Sequence, residues 1–545
     1  MRLRGGRPTL RASIITTGIE AMKPNKIRPG CRLALAVAIL FVGAASADEG
    51  SATPAVSAPP PGRHGFPFMS TSTDLAASHY VEQEFLFSGT AQAFINTGEL
   101  GADGRWDAVP NPGITAAYTS RMLVRRPADP ARFNGTVIVE WLNVTAGWDM
   151  GFDWAWAREE LIDAGYAWVG VTAQHIGALA LQDWEEGPGD RYASIFHPGD
   201  GFSYDIYSQA GRAIRHPRSG GPKPLGELTG RIKAVVADGE SQSSYLLFTY
   251  YNAIHPSARV YDGFLLHGTG FGYPLSWGLA DAWGNPIPDG VPATDWVDVA
   301  YPAGLRTDSK TPVMVVQAES DLSDFISGGG RGLHQQPDSK SLRIWEIAGT
   351  AHFDDLVMTR SQLDIDKTLP GMPPLGCNAP PVNPGRTQAY ALRAAISALN
   401  RWVRFGMAPL AAPRLDVNVP DDDFVTFNLD PATGIVKGGL RLPEIAVPVA
   451  TSSGIRADNA MDPPDSCFYQ FGTYDPWNRD GDSWDGQAGL DVSPTPEPDL
   501  QVLYPSHADY VREVAAAALK STLRGHLRPR DALEVVRDAV KSGTP

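Results

Sequence analysis

The sequence predicts an α/β fold, a mostly parallel sheet with helices on both faces, and three observations predict it. Short, wholly apolar runs recur along the chain. Stretches with apolar residues at helical spacing lie between them, and Gly- and Pro-rich segments punctuate the alternation. Strands that are apolar at every position have no solvated face, so both faces must be covered; strands alternating with helices favour parallel neighbours.

In chain order, the first such strand is Thr136-Val137-Ile138-Val139-Glu140-Trp141 and the second is Ala167-Trp168-Val169-Gly170-Val171-Thr172. Between them, Trp154 to Ala164 carries its apolar residues at helical spacing. Further strands are read at Ile232 to Ala237, Phe264 to Leu266, Val313 to Val316 and Leu342 to Trp345. An amphipathic helix spans Thr387 to Phe405 and stops at Gly406, with Pro409 beyond it. Residues 180–230 interrupt the alternation and are expected to form a cap over the carboxyl edge of the sheet. Residues 407–545 are a Pro- and Asp-rich extension that closes with helix-like segments near Tyr510–Leu523 and Arg530–Val540. No repeat of solenoid period is present.

Bulk composition narrows the function classes. The 545 residues are 43% apolar and 20% charged, which is the balance of a globular chain. A formal net charge of −15 argues against nucleic acid and against an electrostatic hold on anionic membranes, both of which need a basic face. Lys23, Lys26, Arg28 and Arg32 precede the apolar run Ala34 to Val42, and Ala45-Ser46-Ala47 follows it. The run is short for a bilayer span, and the small-x-small ending suits a signal peptidase. Residues 1–47 are therefore expected to be a signal-peptide region, with Met22 as the start of translation and cleavage near Ala47. The chain is expected to be periplasmic or secreted, with no membrane anchor after cleavage. Residues 48–65 read as a flexible leader and 66–545 as one catalytic domain. Cys31 precedes the apolar run; Cys377 and Cys467 remain, and their pairing is left open.

The chemistry concentrates at Gly239-Glu240-Ser241-Gln242-Ser243, between the strand ending at Ala237 and the helical run Ser244 to Asn252. A serine on a sharp strand-to-helix turn is pushed out over the sheet edge, and small flanking residues let the turn close. Ser243 stands where a second glycine is usual. Alone, the five residues fit an ordinary turn; the strand before and the helix after favour a nucleophile. A hydroxyl needs a base, and the base an orienting acid. In the α/β-hydrolase fold the order along the chain is nucleophile, acid, base. Gln317-Ala318-Glu319-Ser320-Asp321 follows one strand, and Ile347-Ala348-Gly349-Thr350-Ala351-His352 follows the next. His352 is the expected base and Asp321 the expected acid, with Glu319 a close competitor and Asp324 a distant one. The other histidines among the eleven sit in bland settings, though His175 and His267 lie near strand ends. For the oxyanion, the Gln242 amide is one expected donor, and Asn143 or Val144 in the loop after Trp141 supplies the second.

Two motifs are set aside. Residues 478–485 lack the closing Glu and oxygen spacing of a calcium loop. Residues 327–332 lack the Lys-Ser/Thr of a phosphate loop. No metal or other cofactor is expected.

Val139-Glu140-Trp141-Leu142-Asn143-Val144, the serine motif, Ala351-His352 and Gly438-Gly439-Leu440-Arg441-Leu442-Pro443 together resemble the bacterial exported "alpha/beta hydrolase domain" family, from about residue 66 to 540. The resemblance implies one enlarged domain whose tail packs on the sheet or roofs the pocket. It also implies serine ester hydrolysis, and it leaves Asp321 against Glu319 open. The expectation is an exported serine carboxylesterase acting on a small-molecule or polymeric ester. Its rivals are an amidase, peptidase or polyester depolymerase with the same triad, and a non-catalytic binding protein on this fold. Trp141, Trp148, Trp154, Phe202 and Tyr204 near the presumed pocket hint at an apolar or aromatic substrate group.

Overall fold

Nine strands form one sheet in the order β1-β2-β3-β5-β4-β6-β7-β8-β9. They are β1 (Ala55–Ser57), β2 (Tyr80–Asn96), β3 (Ala108–Pro127), β4 (Thr136–Trp141), β5 (Ala167–Val171), β6 (Ala234–Glu240), β7 (Gly263–His267), β8 (Val313–Ala318) and β9 (Leu342–Ile347). The pairs from β4 and β5 through to β9 are parallel, whereas β1, β2 and β3 pair antiparallel at one side. This computed structural model describes residues 53–544 except 99, 185–189, 271, 273–274, 276–302, 323–330, 374–382, 384–385, 420–424, 455–470 and 478–497. Residues 50–545 form one compact unit.

The parallel strands are buried because each presents apolar side chains alternately to two cores. Ile138, Trp168, Val236, Leu265, Met314 and Trp345 enter one core. Val137, Val139, Val169, Val235, Phe264, Val315 and Ile344 enter the other. The first core is closed by α1 (Phe152–Asp163), which contributes Trp154, Trp156 and Leu161, and by the long helix Thr387–Phe405. The second is closed by the helices Ser203–Arg215 and Gln242–Thr249, through Tyr204, Ile206, Tyr207, Leu246 and Leu247. The helix Ser203–Arg215 lies inside the stretch read as a cap. It is a layer of the fold instead, with eleven of its thirteen residues buried.

Two further features bear on the sequence reading. Residues 53–65 are not a free leader: Ala55–Ser57 pair with Leu86–Ser88 of β2, and Pro61 O accepts a hydrogen bond of 2.8 Å from Arg191. The tail does pack on the catalytic core. Leu440 lies parallel to Ile347 and bonds both Glu346 and Ala348, which covers the open edge of β9. Tyr510, Val514 and Val535 of the closing helices His507–Leu523 and Pro529–Lys541, and Leu527 between them, join the first core. No helix among the described residues is long and apolar enough to cross a membrane.

Candidate active site

Ser241 sits between the last residue of β6 and the first of the helix Gln242–Thr249, at φ 54° and ψ −126°. A non-glycine residue held there is strained, and such strain persists only where the surroundings fix it. The Ser241 amide donates to His267 O at 2.9 Å, and Ser241 O receives the Tyr245 amide at 3.1 Å. Space favours a small residue at Gly239, since a Cβ there would come within 2.9 Å of Leu247 Cδ1 and 3.3 Å of Ser243 Cβ. Ser243 occupies its position without a positive φ, so no second glycine is needed.

His352 arrives from the turn after β9. Its Nε2 lies 2.8 Å from Ser241 Oγ and its Nδ1 2.6 Å from Asp321 Oδ1. The second Asp321 oxygen accepts the Ala318 amide at 2.7 Å. With the Nδ1 proton directed at Asp321, Nε2 is left to accept from the serine hydroxyl. The imidazole is braced from three sides. The His352 amide donates to Ser320 Oγ at 2.8 Å, its carbonyl receives Gln388 Nε2 at 3.2 Å, and its ring packs edge-on to Phe353. Gly268, at φ +60°, passes so close that a Cβ would lie 2.9 Å from His352 Cε1. The three groups the sequence placed in order are thus one hydrogen-bonded chain.

Glu319 is not part of it. Its carboxylate accepts from the Gly349 amide, from the Gly454 amide at 2.7 Å and from Ser453 Oγ at 3.2 Å. Burial pushes its carboxyl up to about 7. It ties the histidine turn to the tail. Asp324 falls outside the described residues, as do Cys31, Cys377, Cys467, residues 478–485 and residues 327–330.

Of the expected oxyanion donors, Gln242 is the first residue of its helix and directs its amide beyond the helix N-terminus. Asn143 is excluded as a backbone donor because its amide bonds Met150 O at 3.0 Å. Its side-chain Nδ2 donates to Glu240 O and to Glu240 Oε2, both at 3.1 Å. The Thr145 amide is also taken, by Asn143 Oδ1. Among the described residues the Val144 amide has no acceptor, so of the two residues expected in that loop Val144 is the one free to donate.

A layer of acids that the sequence reading did not single out lies beneath the serine. Glu140, Asp153, Asp238 and Glu240 are each 1% exposed. Glu140 receives the Asp153 and Trp154 amides, both at 3.1 Å, and Trp168 Nε1 at 2.7 Å, so it caps the start of α1. Asp153 bonds His267 Nδ1 at 2.6 Å, and His267 Nε2 faces Gln388 Nε2 at 3.1 Å. Burial and then the charge of Asp153 push Glu140 up to about 8 and raise Asp238 and Glu240 strongly. His267 is therefore structural, and His175 likewise bonds His197 O. The aromatic residues expected at the pocket edge are mostly core: Trp141, Trp154, Phe202 and Tyr204 are buried within the two cores, and only Trp148 is partly exposed. No group of three or more His, Cys, Asp or Glu among the described residues is arranged to hold a metal ion.

Strand order, elbow serine and the Ser-His-Asp chain define an α/β-hydrolase fold. The chain belongs to the family described as "Alpha/beta hydrolase domain", which matches residues 55–537. Similar solved structures include an alpha-beta serine hydrolase homologue from Coxiella burnetii, 12% identical, covering 46% of this chain and 92% of that one at a TM-score of 0.26. A glucuronoyl esterase from Teredinibacter turnerae is 11% identical over 65% of this chain and 79% of its own, at 0.28. A serine hydrolase without lid from Xanthomonas campestris is 12% identical over 52% and 97%, at 0.25. No curated protein sequence matches the chain.

Proposed function

We propose that this protein is a serine hydrolase that cleaves carboxylic esters through an acyl-enzyme. The observation that carries the reading is the unbroken contact from Ser241 Oγ through the His352 imidazole to Asp321, at 2.8 and 2.6 Å. In this reading Ser241 Oγ attacks the ester carbonyl carbon as His352 Nε2 takes its proton. The Gln242 and Val144 amides hold the oxyanion. His352 then gives the proton to the departing alcohol, leaving Ser241 acylated. Water, deprotonated by the same nitrogen, attacks the acyl carbon and releases the acid and the free serine. Asp321 keeps Nδ1 protonated and stabilises the imidazolium. These steps call on no cofactor. The apolar run ending in Ala45-Ser46-Ala47 supports export, with the mature protein acting in the periplasm or outside the cell.

The test is hydrolysis of a panel of p-nitrophenyl esters beside aminoacyl anilides, with wild type and Ser241→Ala. Ester turnover that Ser241→Ala abolishes supports the reading. Turnover of anilides alone makes the protein an amidase. Full ester turnover by Ser241→Ala contradicts the mechanism.

A further inference from the structure

The imidazole edge that faces Ser241 has a second neighbour. Glu240 Oε1 lies 3.3 Å from His352 Nε2, and both side chains are 1% exposed. That oxygen has no hydrogen-bond partner among the described residues. The other carboxylate oxygen is held by Asn143 Nδ2 at 3.1 Å, and the same amide holds the Glu240 carbonyl. The carboxyl is thus fixed from the loop after β4, with one oxygen aimed at the base.

We propose that Glu240 is a positioning residue whose carboxyl group shares the Nε2 proton of His352 and sets the acid limit of the reaction. This rests on the serine-hydrolase reading above. During acylation the proton leaves Ser241 Oγ for Nε2. An ionised Glu240 accepts that N–H beside the departing alcohol and favours the imidazolium; no further bond is made or broken. In acid the pair holds one proton whichever group carries it. As Glu240 O–H it occupies the Nε2 lone pair, and as imidazolium it removes that lone pair, so the serine proton has no acceptor in either form. The titratable groups acting on Glu240 are Asp153 on α1, Asp321 after β8, Glu140 on β4 and His352 after β9. Burial, and then the charges of Asp153, Asp321 and Glu140, make a negative charge there costly and raise the Glu240 carboxyl.

The experiment is the pH dependence of kcat and KM for p-nitrophenyl butyrate with wild type and Glu240→Gln, alongside fluorophosphonate labelling of both. The expected result is an acid limb displaced to lower pH by about one unit, with kcat on the plateau reduced about tenfold and KM little changed. An acid limb that stays in place while kcat falls would make Glu240 a merely structural residue and overturn the proposal. Should Glu240→Gln not fold, 15N and 13C NMR of the wild-type His352 ring and Glu240 carboxyl replaces it. Coupled titration over one pH range supports the proposal, and independent titration overturns it. Wild type that neither hydrolyses the ester nor takes up the probe removes the serine-hydrolase reading, and this proposal with it. An active wild type with an unmoved limb removes this proposal alone.

Discussion

Asp321 and Glu319 are two positions apart, both buried, and both beyond the same strand, yet one meets the imidazole and the other meets backbone amides. The difference lies in the single turn Ser320–Leu322, which swings Asp321 toward His352. It lies equally in Ser453 and Gly454, more than 130 positions away, which engage Glu319. Asp321→Asn should therefore lose about 10³- to 10⁴-fold in kcat with the fold intact. Glu319→Gln should cost about 1–3 kcal/mol of stability, because an amide cannot accept all three donors, and should cost far less activity. Denaturant unfolding and ester turnover on both variants check this pair of outcomes. Gly268→Ala should lower kcat and also the melting temperature, since a Cβ is strained at φ +60° and the methyl group meets the buried His352 ring; a rate equal to wild type would contradict it. Ser241 and His352 were legible in the sequence because a strand, a turn and a small residue are local signals. The choice of acid and the engagement of Asn143 were not, because each depends on partners brought together only by the fold.

At the scale of elements, the strands that read most clearly were those apolar at most positions without alternation, which is the signature of burial on both faces. The β2–β3 hairpin was not read, although it is the longest pairing in the sheet. Its residues mix exposed and buried positions without regular alternation over the outer half. β1 was hidden by composition, because a three-residue edge strand is held by main-chain pairing and needs no apolar pattern. The closing helices are joined to the catalytic core by charge as well as by packing. Arg393, buried in the helix Thr387–Phe405, bonds Glu159 at 2.7 Å on α1 and Asp531 at 3.3 Å in the last helix. Glu159 keeps Arg360 and Asp531 keeps Arg528 when this cation is removed, so Arg393→Met should destabilise the protein by about 1–3 kcal/mol. An unchanged denaturation midpoint would show that this ion pair does not fasten the tail.

Over the whole molecule, the tail is one with the fold: Trp345 of β9 packs edge-on to His526, and Leu440 completes the sheet edge. Composition suggested a separate appendage, and only the resemblance to a family placed it on the core. The buried acids beneath the serine also leave a mark on global stability. Glu140 is raised from 4.5 to about 8, so between those values the folded protein holds a proton that the unfolded chain releases. Its stabilising contribution is complete below about 4.5 and is lost as pH rises to about 8. Glu140→Gln should flatten the fall in melting temperature across that window, as scanning calorimetry at stepped pH would show. A slope identical to wild type would place the proton elsewhere in the cluster.

The central claim is that Ser241 is a nucleophile made reactive by His352 and Asp321. It is tested most directly by treating the folded protein with a fluorophosphonate and locating the adduct by peptide mass spectrometry. The account predicts one modified residue, Ser241, with labelling slowed by orders of magnitude in His352→Ala and absent after unfolding. Labelling at another serine, or equal labelling of Ser241 in the folded protein and in His352→Ala, would contradict it.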